Sequence, residues 1–216
     1  MPQEAVTLVT SDELRLEARL AEPELPVAAL VLCHPHPLMD GSMSSSLIPA
    51  IQRRAKAEDM ASLRFNFRGV RRSEGRFEGG LGEQKDVSAA LALMRARFPD
   101  LPLRLAGWSF GSLVGVAAAA GTEVDRVGMV APPISVSAPQ RLPDPPAPEK
   151  VRDWDARVLA VCGTRDEYSR PPDAESWGRQ IFGERFEVKT IEGADHAFSQ
   201  HTPELLDALF EHLRSP

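Results

Sequence analysis

Ser109, Asp166 and His196 are the side-chain types that acyl transfer through a hydroxyl demands. An alcohol oxygen is a weak nucleophile near neutral pH. A base must take its proton as it attacks, and a carboxylate must orient that base and stabilise its cation. Ser109 stands in Gly107-Trp108-Ser109-Phe110-Gly111, between the apolar run Leu103 to Ala106 and an Ala-rich helical stretch. This Gly-x-Ser-x-Gly context predicts a tight strand-to-helix turn that lifts the hydroxyl clear of a sheet. A β-carbon at 107 or 111 would collide with the neighbouring strand and helix. The run Val158 to Cys162 ends in Gly163-Thr164-Arg165-Asp166, and the next such run ends in Glu192-Gly193-Ala194-Asp195-His196. Serine, acid and histidine therefore follow one another at three strand ends, the edge where ligands gather in parallel sheets.

Other residues compete for these places. Glu167, Asp155 and Asp173 lie near Asp166, but the strand end favours Asp166. Asp195 adjoins His196, so its side chain diverges from the imidazole and reads as a loop-shaping group. His201 and His212 fall on the final helical segment and fit the base less well. The pair His34 and His36 has metal-ligand spacing, yet Leu38 stands where a further acidic ligand belongs; no metal is expected, and His34 reads as structural. Arg68 reads as a brace to Asp86 at the start of the following helix rather than as an anion receptor.

The elements that must hold these groups are legible in the hydrophobic pattern. Leu14, Leu16, Ala18 and Leu20 alternate with Glu13, Arg15, Glu17 and Arg19, a half-buried strand joined by a turn at Ser11-Asp12 to an earlier strand, Ala5 to Thr10. Ala28 to Cys33 is a continuous apolar run, as in a strand covered on both faces. Helices around 45–56 and 83–97 alternate with strands at 62–67, 103, 126–131, 157–162 and 186–191. The last helix places Leu205, Leu206, Leu209, Phe210 and Leu213 on its buried side. An antiparallel start followed by βα units predicts an α/β domain over residues 1–216 with a mostly parallel sheet of seven or eight strands. Residues 132–148 hold seven prolines and read as a semi-rigid loop in place of a cap.

Composition narrows the classes. The chain has 216 residues, 43% of them hydrophobic and 26% charged, the profile of a globular protein. A net charge of −6 argues against a nucleic-acid partner. No apolar run approaches the roughly 20 residues that cross a bilayer, and the amino-terminal residues lack a secretory pattern, so a cytoplasmic location without membrane association is expected. Cys33 and Cys162 fall in different interior strands and are expected as buried free thiols.

With these residues in place, the chain resembles the α/β-hydrolase superfamily over almost its whole length. It is most similar to small capless bacterial serine hydrolases that carry His34-Pro35-His36-Pro37, then Gly41-Ser42-Met43, and the segment Arg64-Phe65-Asn66-Phe67-Arg68-Gly69 running into Ser73-Glu74-Gly75. The resemblance implies two oxyanion-hole amides. One maps to the N–H of Phe110. The other comes from the segment after the third strand, where Pro35 and Pro37 have no N–H, leaving His36 or Leu38, with His36 preferred by position. It also implies ester hydrolysis without cofactor or metal, with thioesters and peptides as alternatives on the same residues and a catalytically silent binding protein as the alternative of another class. Asp40 and Arg72 stand where relatives would carry glycine, and both are expected near the mouth of the site. Leu38, Met39, Trp108, Tyr168 and Phe198 adjoin the site loops and are the expected pocket residues for a small or flexible acyl ester; the oligomeric state stays open.

Overall fold

In the computed structural model, which describes residues 3–135 and 142–215, eight strands form one sheet in the order β1-β2-β4-β3-β5-β6-β7-β8. β1 (Glu4–Val9) and β2 (Arg15–Ala21) are antiparallel, and β2 meets β4 (Met60–Phe65) antiparallel as well. From β4 onward all pairs are parallel: β3 (Ala28–Cys33), β5 (Leu103–Trp108), β6 (Val124–Val130), β7 (Arg157–Gly163) and β8 (Phe186–Ile191). Parallel neighbours need crossovers. They are supplied by α1 (Leu47–Ala57), α2 (Leu81–Arg97), α3 (Phe110–Ala119), the short α4 (Pro148–Arg152) and α5 (Pro171–Phe182). α6 (Thr202–Arg214) closes the chain.

The sheet is covered on both faces, which is why β3 is apolar and buried along its whole length and its neighbours are largely so. Leu63, Phe65, Leu105, Val127 and Ala160 point to the side of α2, α3 and α5; Leu30, Leu32, Ala106, Val130 and Val161 point to α1 and α6. The alternation at the start behaves as its sequence implies, with Leu16, Ala18 and Leu20 inward. Element boundaries shift by at most two residues from the sequence reading: β4 begins at Met60 rather than 62, and β6 at Val124 rather than 126. Cys33 and Cys162 are buried free thiols, and burial pushes the Cys162 thiol up to about 11, outweighing its hydrogen bond to Ser169. Of the proline-rich segment, residues 136–141 lie outside the described part. Ile134 and Leu142 beside them pack on the core, and α4 forms at its end. Among the described residues, no helix is long and apolar enough to cross a membrane.

Arg68 shows how the loop after β4 is held. Its guanidinium is fully buried and bonds Asp86 at 2.8 and 3.0 Å, Asp12 at 3.0 Å and Glu78 at 3.1 Å; Asp86 also accepts its main-chain N–H. Burial alone would tend to discharge it, but the bonds to Asp86 and Asp12 outweigh that and keep it a cation. In turn, the Arg68 hydrogen bond holds the Asp12 carboxyl well below the usual carboxylate range. Asp86 is the brace expected from sequence; Asp12 and Glu78 extend it to the β1–β2 turn and the approach to α2. Because the Asp86 side chain has no exposure, Arg68→Met leaves a buried, unpaired carboxylate. Stability in urea denaturation is expected to fall by about 3–5 kcal/mol, and a loss under 1 kcal/mol would mean that solvent reaches Asp86.

Candidate active site

The turn between β5 and α3 is as tight as its glycines suggest. Ser109 has φ 54° and ψ −126°, a region that L-residues avoid, at a typical cost of about 1–3 kcal/mol. The surrounding structure over-determines it. The Ser109 N–H donates to Val130 O at 2.8 Å, while Ser109 O accepts from Ser112 N–H and from Ser112 Oγ at 2.6 Å. A β-carbon on Gly111 would lie 2.6 Å from Cys33 O and closer still to His34 O; one on Gly107 would meet Gly111 and Ser112. Both glycines are therefore fixed by the close approach of α3 to β3 and β5.

β7 and β8 end beside this turn. His196 Nε2 is 3.0 Å from Ser109 Oγ, and His196 Nδ1 is 2.8 Å from Asp166 Oδ2. Asp166 is buried, and its other oxygen accepts the main-chain N–H groups of Tyr168 (2.9 Å) and Ser169 (3.2 Å). The two loops are tied together: Arg165 N–H donates to Ala194 O, and Gly193 N–H to Thr164 Oγ1. Asp195 turns away as expected and caps its own loop, accepting from Ser199 N–H at 3.1 Å. Sequence reasoning did not find one further contact: the Trp108 indole N–H donates to His196 O at 3.1 Å, fixing the main chain that carries the imidazole.

The segment after β3 folds back through a 3-10 turn at Pro37–Met39. His34 is committed at both ring nitrogens: Nδ1 lies 2.6 Å from Pro35 O, and Nε2 accepts the buried N–H of Phe67 at 3.0 Å. Burial holds its pKa down at about 3, so it is a neutral structural side chain. The His36 ring packs 4.8 Å from the Phe110 ring, which brings the two residues expected to supply the oxyanion amides side by side. Leu38 N–H is engaged, donating to His36 Nδ1 at 3.2 Å. As the first residue of α3, Phe110 has an N–H with no intrahelical partner.

The expected pocket residues divide. Leu38 is 71% exposed and Met39 63%, both on the 3-10 turn after His36, and Tyr168 is 37% exposed with its ring 5.1 Å from His196. Trp108 belongs to the core beneath the turn. Phe198 is a correction: it is fully buried among α6 and core residues, because a positive φ of 50° turns its side chain under the loop rather than toward Ser109. Arg72 is another. Ser73 and Glu74 bind the main chain of β2 at Glu17 and Arg15, so Arg72 faces the β1–β2 hairpin instead of the site mouth. Asp40 stays beside Met39, in a left-handed conformation that ends the 3-10 turn.

A family model of the alpha/beta hydrolase domain matches residues 28–207. The chain belongs to this family. The α/β-hydrolase is also similar in structure to a serine hydrolase without a lid from Xanthomonas campestris, at 28% identity and a TM-score of 0.82 over 99% of this chain and 95% of that one. A serine hydrolase homologue from Coxiella burnetii superposes with a TM-score of 0.84 at 26% identity, covering 99% and 98% of the two chains. An uncharacterized protein of Rickettsia prowazekii is 27% identical over 93% of this chain and 85% of its own length. These relationships support a hydrolase.

Proposed function

We propose that this protein hydrolyses carboxylic esters through an acyl-enzyme on Ser109. The observation that carries this reading is the unbroken line Ser109 Oγ, His196 and Asp166, with links of 3.0 and 2.8 Å. His196 Nε2 takes the hydroxyl proton as Oγ attacks the carbonyl, and Asp166 Oδ2 keeps the other ring nitrogen protonated and stabilises the imidazolium. The N–H groups of Phe110 and His36 would receive the oxyanion. Engagement of Leu38 N–H by the His36 ring favours His36 over Leu38 for this role, and each such donor is typically worth about 3 kcal/mol of barrier. The histidine then returns its proton to the leaving alcohol, and water repeats the attack to release the acid.

The exposure of Leu38, Met39 and Tyr168 favours small or flexible acyl groups over long chains that need a closed tunnel. Wild type is expected to hydrolyse p-nitrophenyl acetate and butyrate faster than octanoate, and Ser109→Ala to fall to background on all three. Octanoate as the best substrate would overturn the size assignment. Equal rates for wild type and Ser109→Ala would overturn the reading itself.

A further inference from the structure

His196 must meet two partners that stand at the ends of different strands, and the loop between β8 and α6 that carries it is not tied to both equally. Toward β7 the loop is anchored through its main chain. Thr164 N–H donates to Ile191 O at 3.1 Å, Arg165 N–H to Ala194 O at 3.0 Å, and Gly193 N–H to Thr164 Oγ1 at 2.8 Å. The loop also closes on itself, with Phe198 N–H donating to Asp195 O at 3.1 Å and Thr202 Oγ1 to Phe198 O at 2.9 Å. The bonds to β7 hold His196 against Asp166, which follows Arg165 directly.

Toward the β5–α3 turn the attachment is sparse. Among the described residues, one hydrogen bond besides the Ser109–His196 link joins the loop to this turn, from the Trp108 indole N–H to His196 O at 3.1 Å. The donor is rigid. Trp108 ends β5, paired with Val130 on β6, and strand alternation sets its side chain on the Ala106 face. There it is buried in one cluster with Val130, Ala131, Ala194 and Phe198. The indole ring lies 6.5 Å from the imidazole, tilted by 39°. The main chain of Trp108 leads directly into Ser109, while its side chain holds the carbonyl of His196.

The geometry points to Trp108 as the positioning residue that sets the distance between Ser109 Oγ and His196 Nε2. This rests on the reading of those two groups as nucleophile and base. Their link stands at 3.0 Å, and a general base works within about 2.6–3.2 Å of the group it deprotonates. A displacement of about 1 Å breaks the link and can cost on the order of 10²-fold in rate. Phenylalanine at 108 keeps an aromatic ring in the core but removes the donor. His196 is then free to move from Ser109, while the anchors on β7 keep it beside Asp166.

The test compares wild type, Ser109→Ala, Trp108→Phe and Trp154→Phe on p-nitrophenyl butyrate, with the fluorophosphonate labelling rate and thermal midpoint of each. Trp154 is the control. Its buried indole N–H also donates to a main-chain carbonyl, Val124 O at 3.0 Å, but at the start of β6, the far end of the sheet from Ser109. Both phenylalanine variants therefore lose the same kind of bond. Acylation and deacylation depend on the same spacing, so kcat of Trp108→Phe is expected to fall about tenfold with KM near the wild-type value. Its labelling rate should fall in step. Trp154→Phe should lose a similar amount of thermal stability and keep the wild-type kcat. Trp108→Met serves if Trp108→Phe folds poorly. Equal kcat in wild type and Trp108→Phe, or an equal loss of kcat in Trp154→Phe, would overturn the role of Trp108 alone. Wild type no faster than Ser109→Ala would overturn the reading beneath it as well.

Discussion

Replacing Asp166 with Asn is expected to lower turnover of p-nitrophenyl acetate about 10⁴-fold with little change in thermal stability. The size of the effect follows from the hydrogen-bond inventory of the carboxylate. Oδ1 accepts two main-chain N–H groups, from Tyr168 and Ser169, so an asparagine must keep its carbonyl oxygen on that side. Its NH2 then faces His196 Nδ1, where the carboxylate oxygen stands at 2.8 Å. A donor there forces Nδ1 to become an acceptor and moves the ring proton to Nε2, the nitrogen that must receive the Ser109 proton. The imidazole is in place but in the wrong tautomer. A loss of less than tenfold, with the fold intact by circular dichroism, would mean that another carboxylate orients His196.

Gly111→Ala is expected to be nearly as damaging, for a steric rather than an electronic reason. The added methyl would lie 2.6 Å from Cys33 O and still nearer His34 O, and both are main-chain atoms. β3 cannot recede, because it is paired on both sides, with β4 and with β5, and packed on both faces. The turn must move instead, which carries Ser109 away from His196 and Phe110 away from His36. Loss of one oxyanion donor alone costs about 10²–10³ in turnover, and forced overpacking about 1–3 kcal/mol of stability. Kinetics on p-nitrophenyl butyrate and a urea melt report the two effects separately. Activity within threefold of wild type would show that α3 has room to shift from β3 without disturbing Ser109.

Much of the site was legible because the three predicted side chains each follow an apolar run, and parallel strands deliver their C-terminal ends to one edge. Spacing alone thus anticipated that Ser109, Asp166 and His196 would converge, and that Asp195 would serve its own loop. Contacts decided by the path of a loop were not legible. Phe198 is two residues from His196, yet a left-handed turn sends it into the core. Arg72 is four residues past the Arg68 brace, yet Ser73 and Glu74 bind the segment to β2 and carry it from the site. The bond from Trp108 to His196 O joins residues 88 apart, and nothing in either neighbourhood announces it.

The central claim is that Ser109 is the nucleophile, and covalent capture tests it most directly. The protein would be treated with a fluorophosphonate, a reagent whose phosphorus is attacked by an activated serine oxygen with loss of fluoride. Intact mass and peptide mapping then locate the adduct. The account predicts a single adduct, on Ser109, formed quickly by wild type and lost in both Ser109→Ala and His196→Ala. An adduct on another residue, or labelling of Ser109 that is indifferent to His196, would contradict it.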